Sequence, residues 1–225
     1  MRDTFHYTRV SFFGDSLTAG FDAESLAATY VSRTVAGLRA LDTKAALTYA
    51  SGNQYGGRVA DGIKQALSDL SHCPDLVVLQ FGENDGPYTP TFREQYAALM
   101  AAVRRDGRRP LIAAFGVWDP HQDPNFIEMS QDIKQLALAE NGVFVDITEA
   151  SADQANRGAG RNVGWLNSPG HQLSDTFHPN DLGHAAMAAA LLEAVANHIV
   201  HGPARLAAKA REPAAVRPLA EREMV

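Results

Sequence analysis

The chain has 225 residues, 45% hydrophobic and 20% charged, the balance of one soluble globular domain long enough to bury a sizeable core. A formal net charge of −6 leaves no basic excess to neutralise phosphates, which argues against a nucleic-acid partner. The single cysteine, Cys73, excludes an intramolecular disulfide and a cysteine-based zinc site, and reads as a small buried hydrophobe.

Met1 to Tyr7 lacks the apolar core of a signal peptide. No run approaches the roughly 20 apolar residues of a membrane span. A cytoplasmic protein is expected. The first strand is Val10 to Phe13, β-branched and aromatic, ended by Gly14. Ala23 to Leu41 is rich in Ala and Leu and reads as a helix. Thr48-Tyr49-Ala50 ends a short second strand, and Gly52 to Gly57 is a glycine-rich loop. Val59, Ile63, Ala66, Leu67 and Leu70 have helical spacing. Leu76 to Phe81 is near-continuously apolar, as in a parallel sheet covered on both faces. A loop at Gly82 to Pro87 precedes a helix over Phe92 to Arg105. Leu111 to Phe115 is the fourth strand. Asp123-Pro124 reads as an N-cap and first helical residue, with Asn141-Gly142 as the stop. Val143 to Ile147 is the fifth strand. A polar, glycine-rich loop follows from about Ser151 to Asp175, of a length that is functional or disordered, then an Ala/Leu-rich helix over Asp181 to Ile199. From Gly202 the composition shifts to Ala, Pro, Arg and Glu. Residues 1–201 therefore read as one domain and 202–225 as a weakly ordered tail, with a helical piece at Ala204 to Arg211. Strands alternating with helices specify an α/β fold with a five-stranded parallel sheet.

Four features carry chemistry. Ser16 lies just past the first strand, at the sheet edge where ligands bind; taken alone it serves equally as a helix cap. Asp175 and His178 are three residues apart, on one face of a helical turn. A carboxylate fixes an imidazole's tautomer and stabilises its cation, which is what a serine nucleophile's base needs. Taken alone, the pair also reads as a surface cap of the last helix. Asn84, after the third strand, can donate its amide to an oxyanion or bond its own turn. The Gly56-Gly57 loop can bring a backbone N–H close to the same atom. The first three strands bring three of these features to one edge, and the long loop can fold the Asp–His segment over it.

In this order the motifs resemble the SGNH hydrolases, the GDSL-type esterase and lipase family. Gly14-Asp15-Ser16-Leu17 is similar to the family's nucleophile block, Gly82-Glu83-Asn84-Asp85 to its G-x-N-D block, and Asp175-x-x-His178-Pro179 to its terminal D-x-x-H block. Gly57, followed by Arg58-Val59, fits the oxyanion glycine, with Gly56 as the alternative. The resemblance implies a flavodoxin-like three-layer α/β/α sandwich. It implies Ser16 as nucleophile, His178 as general base then acid, and Asp175 as its orienting carboxylate. The backbone N–H groups of Ser16 and Gly57 and the Asn84 side chain make the oxyanion hole. The resemblance likewise implies acyl transfer to water, with no metal or organic cofactor. Absence of a G-x-S-x-G elbow argues against the α/β-hydrolase fold.

The expected partner is a small-molecule ester with a small or medium acyl group, a carbohydrate acetyl ester among the candidates. An acyltransferase, a thioesterase or a lysophospholipase would use the same site, and a non-catalytic binding module is the remote alternative. Candidate substrate contacts are Asp15, Glu83, Trp118, His121 and Trp165, with Tyr88, Asp119 and His171 near the same edge. Glu83 and Asp85 would make an acidic rim that disfavours anionic substrates. The spacing of Asp175, His178 and His184 permits a metal, but nothing else in the chain supports one, and His184 reads as a helix-packing residue. The oligomeric state is not readable from the sequence.

Overall fold

The computed structural model of the chain describes residues 9–41, 48–53, 55–70, 73–158, 162–164, 171–173 and 175–209. Five strands, β1 (Arg9–Gly14), β2 (Thr48–Asn53), β3 (Leu76–Gln80), β4 (Leu111–Phe115) and β5 (Val143–Val145), form a sheet in the order β2-β1-β3-β4-β5. Every pairing in it is parallel. The helices are α1 (Ser16–Ala19), α2 (Tyr30–Leu41), α3 (Val59–Asp69), α4 (Pro90–Val103), α5 (Pro124–Ala139), α6 (Thr148–Ala152) and α7 (Asp181–Lys209).

Strand side chains alternate between faces, and both faces of this sheet are covered. Val10, Phe12, Leu76, Val78, Ala113 and Phe115 pack with Tyr30, Val31 and Val35 of α2 and Met187, Leu191 and Val195 of α7. Phe13, Val77, Leu79, Ile112 and Ala114 pack on the other face with residues of α3, α4 and α5, including Ala66, Tyr96, Leu99 and Ile133. This explains the near-continuous apolar runs in β3 and β4, and makes the three-layer α/β/α sandwich that the motifs imply. The strand order is that of flavodoxin-like sheets, whose ligands bind at the β1/β3 switch point. The loops after β1 and β3 carry Ser16 and Asn84, so the switch point lies between them.

Several local expectations change. The Ala23 to Leu41 segment is not one helix: a 3-10 turn at Leu26–Ala28 precedes α2. β2 continues to Asn53 and takes in the start of the glycine-rich loop. The long loop contains α6, a 3-10 turn at Gln154–Asn156 and an antiparallel pair, β6 (Asn162–Gly164) with β7 (His171–Leu173). Backbone groups in so long a loop need partners, and short local elements supply them. α7 runs on to Lys209, past the expected stop before Gly202; residues 210–225 lie outside the described residues. Cys73 is exposed rather than buried; it lies in the turn leading to β3, at φ 49°, outside the packed strands. Among the described residues no helix is long and apolar enough to cross a membrane.

Candidate active site

The Ser16 segment is built by close packing. A Cβ on Gly14 would overlap the Thr18 hydroxyl and lie 2.8 Å from the Gln80 carbonyl oxygen, so only glycine lets α1 fold back onto β1 and β3. Asp15 then caps α1, its Oδ1 accepting from Leu17 N at 2.9 Å. Gly20, at φ 87°, ends the turn. Ser16 is thus the first helical residue, 7% exposed at the carboxyl edge of the sheet.

Ser16 Oγ lies 2.9 Å from His178 Nε2, although 162 residues separate them. His178 Nδ1 lies 2.6 Å from Asp175 Oδ2. Asp175 Oδ1 also accepts from the backbone N–H groups of Phe177 at 2.9 Å and His178 at 2.7 Å. Partial burial pushes the pKa of Asp175 up, but the His178 side-chain and backbone hydrogen bonds outweigh it and bring the pKa down to about 2. An ionised Asp175 can only accept, so His178 Nδ1 carries the proton and Nε2 is left to accept from the serine hydroxyl.

The His178 segment is held from several sides. Trp118 Nε1 donates to the Phe177 carbonyl at 2.7 Å. Asn180 Oδ1 caps α7 by accepting from Leu182 N and Gly183 N, while its amide donates to the Ala155 and Arg157 carbonyls. The Phe21 ring lies on the His178 imidazole, centroids 4.1 Å apart and planes tilted by 31°. Phe21 is itself placed by His184, whose Nε2 faces the Phe21 carbonyl oxygen at 3.0 Å and whose Nδ1 accepts from Tyr30 N at 3.3 Å. Burial drives the pKa of His184 down to about 4, so this imidazole is neutral. It is a packing residue, as its place on the final helix suggested. With both nitrogens so occupied, it offers no metal ligand.

On the other side of Ser16, Asn84 Nδ2 donates to Asp15 Oδ2 at 2.9 Å and to the Gly57 carbonyl at 3.2 Å. Asn84, Gly57 and the Asp15–Ser16 turn therefore converge on one small space. Gly57 is buried there, whereas Gly56 is exposed at φ 63° with open space around it. The conformation explains the Gly-Gly pair: Gly56 makes the turn and Gly57 lies against the site. Asp85 reaches across to Val59 N at 3.1 Å, tying the Asn84 loop to the start of α3.

Three of the expected substrate contacts are used otherwise. Asp15 is 0% exposed and its carboxyl is committed to Leu17 and Asn84. Trp118 is also 0% exposed, its indole ring in the core and its N–H on Phe177. Glu83 turns inward, accepting from Trp118 N at 2.7 Å and Gln80 Nε2 at 2.9 Å. With Asp85 likewise bound to Val59, the expected acidic rim does not form: at a loop packed on a sheet edge, carboxylates find backbone N–H groups before they find solvent. His121 is exposed, its ring 6.5 Å from that of Phe177. Trp165 lies outside the described residues. Two rings near His178 carry no distinguishing mark in the sequence, Phe21 and the exposed Tyr55, whose centroids are 6.1 Å apart. Their apolar character alone makes them look like packing residues.

The sequence model of the GDSL-like lipase/acylhydrolase family matches residues 12–186. The chain belongs to this family. It is an esterase, and the matched span runs from β1 past His178 into α7. No curated protein matches it. Among solved structures, the esterase resembles a two-domain esterase active on acetylated mannans, with a TM-score of 0.68 and 22% identity over 85% of this chain and 50% of that one. It thus spans about half the length of that protein. It also resembles a variant of an acetyl xylan esterase from Geobacillus stearothermophilus, with a TM-score of 0.62 and 23% identity over 84% of this chain and 94% of that one. At these identities the likeness establishes a shared fold.

Proposed function

We propose that this esterase cleaves small acyl esters, acetyl esters of carbohydrates foremost, with Ser16 as nucleophile. The observation that carries the reading is the unbroken line Ser16 Oγ–His178 Nε2 at 2.9 Å and His178 Nδ1–Asp175 Oδ2 at 2.6 Å. His178 removes the Ser16 proton as Oγ bonds the acyl carbon. The carbonyl π electrons move onto its oxygen, which Asn84 Nδ2 and the backbone N–H groups of Ser16 and Gly57 stabilise. His178 then protonates the leaving alkoxide as the C–O bond breaks. Water, deprotonated by His178, attacks the acyl-serine; the acyl C–Oγ bond then breaks, His178 returns the proton to Ser16 Oγ, and the acid leaves. Asn84 engages the oxyanion by exchanging its longer bond, the one to Gly57 O.

The carbohydrate preference draws on the activities named for the two solved relatives and on the exposed ring of Tyr55 beside Phe21, a face on which a sugar can stack. Purified protein should hydrolyse p-nitrophenyl acetate and be inactivated by a serine-directed phosphonate. Ser16→Ala should lower kcat by at least about 10³-fold. Wild-type turnover in that variant would refute the nucleophile. A panel of acetylated xylo- and manno-oligosaccharides, longer acyl esters and thioesters tests the substrate class; faster cleavage of the long acyl esters would reverse it.

A further inference from the structure

Phe21 lies in the turn that leaves α1, and this turn touches all three residues of the acyl-transfer scheme. The Phe21 N–H donates to the Ser16 carbonyl at 3.0 Å. Its ring lies on the His178 imidazole, centroids 4.1 Å apart and planes tilted by 31°. The next residue, Asp22, is buried, and its Oδ2 accepts from Asp175 N at 3.2 Å. Asp22 stands at φ 62°, a left-handed conformation that Asp adopts more readily than most residues because its short polar side chain can bond locally. From α7, His184 Nε2 donates to the Phe21 carbonyl at 3.0 Å, and Asp181 Oδ1 accepts from Glu24 N at 2.9 Å. Bonds to both α1 and α7 therefore set the Phe21 ring against the imidazole.

The acyl-transfer scheme gives this ring no part, yet it meets the group whose charge changes during the reaction. As Oγ bonds the acyl carbon, its proton passes to His178 Nε2 and the neutral imidazole becomes an imidazolium. When the C–O bond breaks, the proton leaves with the alkoxide and the imidazole is neutral again. The His178 side chain is 17% exposed, so little water reaches the cation. Phe177 covers it further, its ring near-perpendicular at 5.3 Å. Asp175 meets the imidazole at Nδ1 alone, along the ring edge. The face of a benzene ring is negative and attracts a cation lying over it, most strongly where solvent is excluded.

We infer that Phe21 stabilises the His178 imidazolium through a cation–π contact, and so lowers the barrier to acyl transfer as well as packing the turn. The neutral imidazole of the resting enzyme gains less from the same face. The contact is therefore stronger in the transition state than before it, which is the condition for raising kcat. Phe21 is a positioning residue, acting on the ester through His178. A leucine there would fill much of the same space and supply no negative face.

The inference rests on Ser16 and His178 as nucleophile and base, and its test separates the two. Phe21 is replaced, site-specifically, by phenylalanines carrying one, two and three ring fluorines. Fluorine withdraws negative charge from the ring face and changes its shape little. Two rates are read, kcat for p-nitrophenyl acetate and the rate of Ser16 labelling by a serine-directed phosphonate, because both reactions form the imidazolium. Both should fall stepwise with fluorine number, to about one fifth of wild type with three, while KM moves less. Phe21→Leu should lower kcat about 3- to 30-fold, and Phe21→Tyr, which restores an aromatic face, should lie above Phe21→Leu. Thermal unfolding is measured on every variant. Rates that follow Tm rather than fluorine number would assign Phe21 to packing and overturn the inference. Rates that stay level across the series, in a protein whose Ser16 is labelled, would overturn it and leave the acyl-transfer reading intact. A wild type that is not labelled at Ser16 would refute that reading and the inference with it.

Discussion

Acid should weaken this fold through His184, and the size of the effect follows from its surroundings. The imidazole is 0% exposed, stacked on Tyr30 and bonded to the Phe21 carbonyl and the Tyr30 amide. Burial lowers its pKa from 6.5 to about 4, against a smaller upward pull from the Phe21 carbonyl and Asp181. The unfolded chain therefore binds the proton more tightly than the native one. The stability held by neutral His184 is complete above 6.5 and is lost as pH falls from 6.5 towards about 4. At 1.36 kcal/mol per unit, the full loss is about 3 kcal/mol, with about 2 kcal/mol gone by pH about 5. His184→Gln keeps a neutral amide of similar reach and removes the titration. Urea unfolding at pH about 7 and about 5 should give the variant lower stability at neutral pH, by about 1–3 kcal/mol for the disturbed bonds. The gap between the two proteins should then close by about 2 kcal/mol on acidification. Other carboxylates titrate in both proteins and cancel. If the two stabilities fall in parallel, His184 is not the buried neutral base described here.

Asn84→Ala should lower kcat for p-nitrophenyl acetate by about 10²–10³-fold with a smaller change in KM, because the lost donor acts on the oxyanion; kcat within about 10-fold of wild type would remove Asn84 from that role. Trp118→Phe keeps the core filled but deletes the bond to the Phe177 carbonyl. It should cost about 1–3 kcal/mol in thermal or urea unfolding and lower kcat more than it changes KM, since the carbonyl it frees lies one residue before His178. A variant with wild-type kcat would show that His178 is held without it.

The sequence by itself determined the layers and the family, and it named the candidate site residues. Apolar runs at β1, β3 and β4, helices of opposite periodicity between them, and glycines at strand ends are local consequences of burial and backbone freedom, readable without neighbours. Ser16, Asn84, Asp175 and His178 were legible for a related reason: each is a chemically distinctive residue at a strand or helix end, in an order that a single sheet edge can gather. What only the tertiary structure decided is where the remaining polar and aromatic side chains point. Glu83, Asp15 and Trp118 follow strands just as substrate-binding residues do, and nothing in their spacing separates a carboxylate facing solvent from one facing the Trp118 amide. Phe21 and His184 are far apart in sequence, and both look like core. Their meeting beside His178 depends on α7 crossing the turn after α1, a long-range packing that local pattern does not encode. Ser16 and His178 lie 162 residues apart, and only the folded sheet edge brings the two to hydrogen-bond distance.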